Sequence, residues 1–177
     1  MRVQRRTQAE RRAETRGRLL AAAYNAFAER GYLGASLDLV SERAGCTKGA
    51  LYDHFGSKEG LLLALLDEHF AVRLAQARAS ASGRPSERMP FDRAFAVLFL
   101  EFVCAAARDP KLRRRLASRL RSLRTETARL LGDERLAAVL GAAANGASIE
   151  ALIFGEAEGA ATFDAAMNSL LGVSSPT

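Results

Sequence analysis

The sequence predicts an all-α protein in two parts, an N-terminal domain of three helices containing a helix-turn-helix and a C-terminal domain of longer helices. Three observations predict it. Helix formers outnumber strand formers, with 35 Ala and 25 Leu against 7 Val and 2 Ile in 177 residues, so a substantial sheet is not expected. Apolar residues recur at helical spacing, as in Leu19, Leu20, Ala23 and Phe27. Capping residues and glycines punctuate those stretches, and the one long loop-like segment, Ser80 to Pro90 with Gly83 and Pro85, separates two groups of helices.

The elements follow in order. Thr7 and Glu10 have the capping-box spacing, so a first helix begins near residue 8 and runs to about Arg30, where Gly31 can take the positive φ that often ends a helix. Ser36 caps a second, barely two turns long, with Leu37, Val40 and Ala44 inward and Gly45 as its stop. Thr47 caps a third, Lys48 to about His54. Ser57 caps a fourth, which carries Leu61, Leu62, Leu65, Leu66, His69 and Leu74 to about Ala79. Beyond the loop, a helix from about Phe91 to Arg108 closes at Asp109-Pro110, a natural cap followed by a proline tolerated at the first helical position. The next runs to about Leu131, with Leu112, Leu116, Leu120, Leu123 and Leu130 as its apolar stripe. Gly132-Asp133 then starts another, Glu134 to about Gly155, with Leu136, Leu140, Ile149, Leu152 and Ile153 apolar. A last helix spans roughly Phe163 to Leu171, and the tail from Val173 to Thr177 is expected to fray.

Charge is unevenly placed. Residues 1–60 hold 11 Lys/Arg against 7 Asp/Glu, residues 108–129 hold 9 against 2, and residues 130–177 hold 1 against 6. A basic front is a feature of nucleic-acid binders, and a solvated helix face produces the same count. Nucleophile elbows, Walker-type loops and dinucleotide fingerprints are absent; two histidines and no clustered carboxylates provide no evident acid, base or metal set. Neither an enzyme nor a bound cofactor or metal is expected. Cys46 and Cys104 fit no disulfide framework and no metal-ligand spacing. The apolar runs are short and cut by charge, and no secretory pattern follows the seven arginines of the first 18 residues. A cytoplasmic protein with no membrane partner is therefore expected.

The chemically informative stretch is 36–58. Two short helices around the Gly45-Cys46-Thr47 corner form a helix-turn-helix whose second helix can enter a major groove if its outward face is small and polar, as Thr47, Lys48, Gly49 and Ala50 are. Leu51 and Phe55 fall on the buried side, whereas Tyr52, His54 and Lys58 can reach outward to phosphate. A helical hairpin within a bundle has the same turn, Tyr52 can simply pack, and His54 can be a partly buried structural histidine. A sequence-indifferent architectural or RNA-binding protein would also be basic; preference for one duplex over random DNA separates it from a regulator.

Residues Gly17 to Leu62 resemble the N-terminal domain of the tetracycline-repressor (TetR) family of transcriptional regulators. The resemblance rests on Ala26-Phe27-Ala28-Glu29-Arg30-Gly31-Tyr32, on the Ala44-Gly45 turn, and on Gly49-Ala50-Leu51-Tyr52-Asp53-His54-Phe55 followed by Ser57-Lys58-Glu59. It implies a homodimeric, sequence-specific repressor that binds a pseudo-palindromic, double-stranded operator, with residues 1–56 as arm and DNA-binding domain and 57–177 as dimerisation and ligand-binding domain. Carried over by motif, Lys48, Gly49 and Ala50 face base edges, and Ser36, Thr47, Tyr52, His54 and Lys58 hold phosphate. Asp38 departs from the pattern, because an unpaired carboxylate there repels phosphate unless Arg43 or another cation compensates. Cys46 stands where a branched apolar residue is more usual, a small change for a side chain that packs as a hydrophobe.

In the second domain, Phe91, Phe95, Phe99 and Phe102 fall on one helical face, as core or as the wall of a cavity for a small apolar effector, with His69, Asn145 or Cys104 as its polar groups. Small residues beside Leu140, Leu152, Leu170 and Leu171 allow close helix approach, so a two-fold dimer is expected through the last two helices, with Leu140, Ala144, Ala151, Leu152 and Leu170 in contact. The arginines of 108–129 are read as solvated surface, or as an attractor of an anionic effector or of the acidic tail.

Overall fold

The computed structural model describes residues 7–81 and 91–171. Arg2, Arg5 and Arg6, most of the expected loop (82–90) and the tail from Val173 lie outside the described residues, as do the side chains of Leu74, Leu170 and Leu171. Among the described residues there are eight α-helices and no strand: α1 (Gln8–Gly34), α2 (Leu37–Arg43), α3 (Lys48–Phe55), α4 (Lys58–Ala81), α5 (Arg93–Arg108), α6 (Pro110–Leu131), α7 (Glu134–Phe154) and α8 (Glu156–Leu171).

The chain forms two compact units, Met1–Glu68 and His69–Thr177. In the first, Thr7 and Glu10 complete a reciprocal capping box, with Glu10 N–H donating to Thr7 Oγ1 at 3.2 Å and Thr7 N–H donating to Glu10 Oε2 at 2.7 Å. The regular part of α1 stops at Gly31 (φ 70°, ψ 167°), and one more turn carries the chain to Gly34. Leu19, Ala23, Ala26 and Phe27 of α1, Val40 of α2, Leu51 of α3 and Leu61, Leu62 and Leu66 of α4 are buried together as the core. Truncating one such leucine to alanine costs about 2–5 kcal/mol. The first turns of α4 therefore belong with α1–α3.

In the second unit α7 packs most extensively on α8 and then on α6, with α5 against α6 and α7. Asp92, Asp109 and Asp133 cap α5, α6 and α7; α5 thus starts at Arg93, two residues beyond the expected Phe91. The apolar stripe of α6 holds for Leu112 and Leu116, but Leu130 is exposed and Ala128 takes the buried place in the last turn. On α7 the buried residues are Ala137, Ala147 and Ala151, while the apolar Ile149 and Ile153 are exposed.

The main departure from expectation is α8, which begins at Glu156 rather than near Phe163. Gly159, which lies between the two helices that the sequence predicts, is a packing residue. A Cβ built there would lie 2.5 Å from both the Ala147 carbonyl oxygen and Ala151 Cβ, so only glycine lets α8 approach α7 this closely. Thr162 Oγ1 donates to Glu150 Oε2 across the same pair of helices.

Candidate nucleic-acid interface

The site begins with two caps. Ser36 Oγ accepts from Leu39 N–H at 3.2 Å and Thr47 Oγ1 accepts from Ala50 N–H at 3.1 Å, which satisfies orphan amides at the starts of α2 and α3. Each cap uses oxygen lone pairs and leaves the hydroxyl proton for an external acceptor such as a phosphate oxygen. Leu51, fully buried, fastens α3 to the core and thereby fixes which face points out. That outward face carries Lys48 and Gly49, exposed, the half-buried Ala50, and Tyr52, which is 52% exposed. Gly49 has no internal reason to be glycine: a Cβ there would meet Thr47 Oγ1 at 3.8 Å, ordinary contact.

The turn between the helices is held by a residue of α1 to which the sequence assigns no role of its own. Arg18 donates from Nε to the Ala44 carbonyl at 3.0 Å and from Nη2 to the Ala44 and Gly45 carbonyls at 2.5 and 2.8 Å. Gly45 lies at φ +58°, and a Cβ there would be 2.9 Å from Arg18 Nη2, so the turn and the clamp fit only with glycine. A cation on the last carbonyls of a short helix is favoured by the helix dipole as well as by its hydrogen bonds. Nothing in the local sequence marks Arg18; its partners are 26 and 27 residues away.

Asp38 is paired, by a different cation from the one named first in the sequence reading. Lys48 Nζ lies 2.6 Å from Asp38 Oδ1, whereas Arg43 is engaged by Glu29 at 2.7 Å. The hydrogen bond from Arg43 holds the Glu29 carboxyl below its ordinary range, and Glu29 in turn raises Arg43.

The outer residues divide. His54 is half-buried on α3; burial, followed by the guanidinium charges of Arg12 and Arg16, pulls its pKa below 6.5. Arg16 also lies 5.8 Å from the centre of the Phe55 ring. Lys58 is turned onto the end of α1, where Nζ donates to the Leu33 carbonyl at 3.2 Å and sits 4.9 Å above the Tyr32 ring. Burial lowers its pKa. A phosphate contact by Lys58 therefore has to be made from this tethered position or at its expense.

The second unit contains a cavity of about 90 Å³ lined by His69, Phe70, Phe91, Asp92, Phe95, Ala96, Phe99, Leu100, Ala144, Asn145, Ser148 and Ile149. The His69 ring stacks on Phe95 at 3.4 Å, and Phe70 meets Phe95 and Phe99 edge-on at 6.3 Å. It brings together His69, Phe91, Phe95, Phe99 and Asn145; Phe102 is not in its lining but fully buried, and Cys104 is exposed and outside it. Among the residues named for a dimer contact, Ala144 lines this cavity, Ala151 is buried against Gly159, Leu140 and Leu152 are half-buried, and the side chain of Leu170 lies outside the described residues. The large apolar side chains left open on α7 are instead Val139, Ile149, Ile153 and Phe154, the last two 67% and 69% exposed. Among the described helices α7 alone is long and apolar enough to cross a membrane, with mean hydropathy 1.6 and 17% of its most apolar stretch buried. Among the described residues no group of three or more His, Cys, Asp or Glu is placed to hold a metal ion.

A capped α3 with a small-residue leading end, set at a clamped glycine turn and followed by a separate helical unit, defines a helix-turn-helix protein. Residues 19–65 match the family described as bacterial regulatory proteins, tetR family. The chain is 38% identical over 124 residues to the HTH-type transcriptional regulator CymR of Pseudomonas putida, covering 64% of this chain and 61% of that one. It is 38% identical over 92 residues to the HTH-type transcriptional activator FasR of Mycolicibacterium smegmatis, covering 52% and 42%. It thus spans about two-fifths to three-fifths of the length of these curated relatives. A solved TetR-family regulator from Pectobacterium atrosepticum has the same fold over 97% of this chain and all of its own, at 28% identity and a TM-score of 0.58. Residues 19–65 thus carry a domain of the tetR family of bacterial regulatory proteins, and the chain as a whole is similar in fold to a solved TetR-family regulator.

Proposed function

We propose that the chain is a cytoplasmic homodimer that represses transcription by binding a pseudo-palindromic operator and is released when a small apolar molecule enters the cavity of its second unit. The observation that carries DNA reading is the leading end of α3: Lys48, Gly49 and Ala50 stand at the groove-entering end of a helix whose opposite side is fixed by Leu51. Lys48 reaches the guanine acceptors O6 and N7, and Gly49 lets the backbone approach the bases. Ser36, Thr47 and Tyr52 hold phosphate, joined by His54 and Lys58 at the edge.

Dimerisation is supported by the uncovered apolar surface at Val139, Ile149, Ile153 and Phe154, which self-association through α7 and α8 would bury. Effector release is supported by the aromatic cavity, since a ligand shifts an equilibrium only by its difference in affinity for the two states, and a preformed pocket in one of them supplies that difference. The test is selection of bound duplexes from a random pool. The expected product is a site of two inverted half-sites about one helical turn or a multiple of it apart, preferred over random duplex by at least about 10³. Recovery of unenriched sequence would refute operator recognition.

A further inference from the structure

Lys48 is the first residue of α3, where outward-pointing amides and the positive end of the helix dipole disfavour a cation. Asp38 is an acid on the helix-turn-helix surface that phosphate would repel. Lys48 thus breaks a local rule, whereas Asp38, in the first turn of α2, suits its own helix dipole but not a phosphate partner; the two are 2.6 Å apart with their side chains 60% and 64% exposed. A pair this exposed contributes little to folding, so stability does not account for it.

Resting on the operator-binding reading above, we propose that Asp38 is a specificity-determining residue and that Asp38 and Lys48 act as one readout unit for an oriented G·C pair. The pair carries no net charge, so it adds nothing to the non-specific attraction of the backbone; what remains is directional. An ammonium has three N–H donors, and with one given to Asp38 two remain for the O6 and N7 acceptors of one guanine. The carboxylate has a second oxygen, and beside guanine O6 in the major groove lies the N4 amine of the paired cytosine, a donor it can accept from. Reversing the base pair places Lys48 against an amine, and thymine O4 in place of cytosine N4 places an acceptor against the carboxylate. The wrong pairs are thereby rejected by repulsion as well as by missing bonds.

The experiment uses the full chain, its selected duplex, and the same duplex with the proposed G·C pair changed to A·T in both half-sites. Binding of wild type, D38N, K48A and the double variant is titrated at several salt concentrations. The readout is the ratio of affinities for the two duplexes, which a partly unfolded preparation does not shift. In D38N, binding to scrambled duplex is expected to rise several-fold, with a salt slope steeper by roughly one for each subunit that gains a free cation. Discrimination at the G·C pair is expected to fall at least tenfold, and the double variant to discriminate no worse than K48A. Discrimination retained in D38N, or losses that multiply in the double variant, would overturn the proposal while leaving the regulator reading intact. A wild type that binds all duplexes alike would instead overturn the regulator reading itself.

Discussion

Replacing Arg18 by alanine should damage DNA recognition from the interior side of the motif. Its guanidinium supplies the donors for the last carbonyls of α2, a helix of only seven residues that cannot hold its own end. Hydrogen bonds from a charged donor contribute about 1.5–3 kcal/mol each when well shielded. Because Arg18 lies at the surface, the loss for the whole clamp is reduced to about 1–2 kcal/mol. In a unit of 68 residues that corresponds to a fall in midpoint of about 4–8 °C per kcal/mol. The loss of operator affinity should exceed what this destabilisation implies, since the clamp sets the angle between α2 and α3. Thermal unfolding followed by circular dichroism, with operator titrations well below the midpoint, measures both. Arg18→Lys, which keeps the charge but not the fork, should fall between. If Arg18→Ala unfolds within about 0.5 kcal/mol of wild type and binds operator normally, the turn is held by packing alone and the reasoning fails.

Three further outcomes are expected. Ile153→Arg, at a position 67% exposed in the single chain, should give a monomer in sedimentation and lose operator binding while the chain stays folded; a dimer of normal mass would move the interface elsewhere. Phe99→Ala, in the cavity wall, should reduce both the rise in thermal midpoint and the loss of DNA binding that an apolar effector produces, and equal effects in wild type and variant would empty the cavity of its role. His54 has a folded pKa below its unfolded value of 6.5, so the unfolded chain binds the proton more readily. Its contribution to stability is present above about pH 6.5 and lost as pH falls through the folded value, and His54→Gln should flatten unfolding free energy against pH over that acid window.

What the sequence made legible was what is local. Caps at Thr7, Ser36, Thr47, Asp109 and Asp133 each act on amides two or three residues away, so composition and spacing place them correctly. The motif around α3 was legible for the same reason. What was not legible depends on distant partners. Arg18 finds its role at Ala44 and Gly45, Lys58 at Leu33, and Gly159 at Ala147, and in each case the neighbouring residues point to a different reading. On α7 the apolar residues are too many for periodicity to pick a face: small alanines take the buried positions beneath α8, and Ile153 is left outside although it is larger and more apolar.

The same distinction changes how the basic charge of the first unit should be read. Eleven Lys/Arg in residues 1–60 invite the view that cations provide the grip on DNA. Of the eight described, Arg18 is held by backbone carbonyls, Arg43 by Glu29, Lys48 by Asp38 and Lys58 by the end of α1, while Arg11, Arg12, Arg16 and Arg30 are exposed on α1. The four engaged cations are the ones on or beside the helix-turn-helix. Each is engaged by the protein before any phosphate arrives, and each would have to share or give up a partner to become a phosphate contact. On α2, α3 and their caps the remaining outward groups include neutral donors: the hydroxyls of Ser36 and Thr47, the exposed Tyr52, and the backbone around Gly49. Neutral donors release no condensed counterions. Salt dependence should therefore track the exposed arginines of α1 and the cations that can exchange partners rather than the count in the sequence. On the proposed reading, grip and reading are separate functions on one helix pair, with hydroxyls and backbone fixing register and the Asp38–Lys48 pair supplying choice.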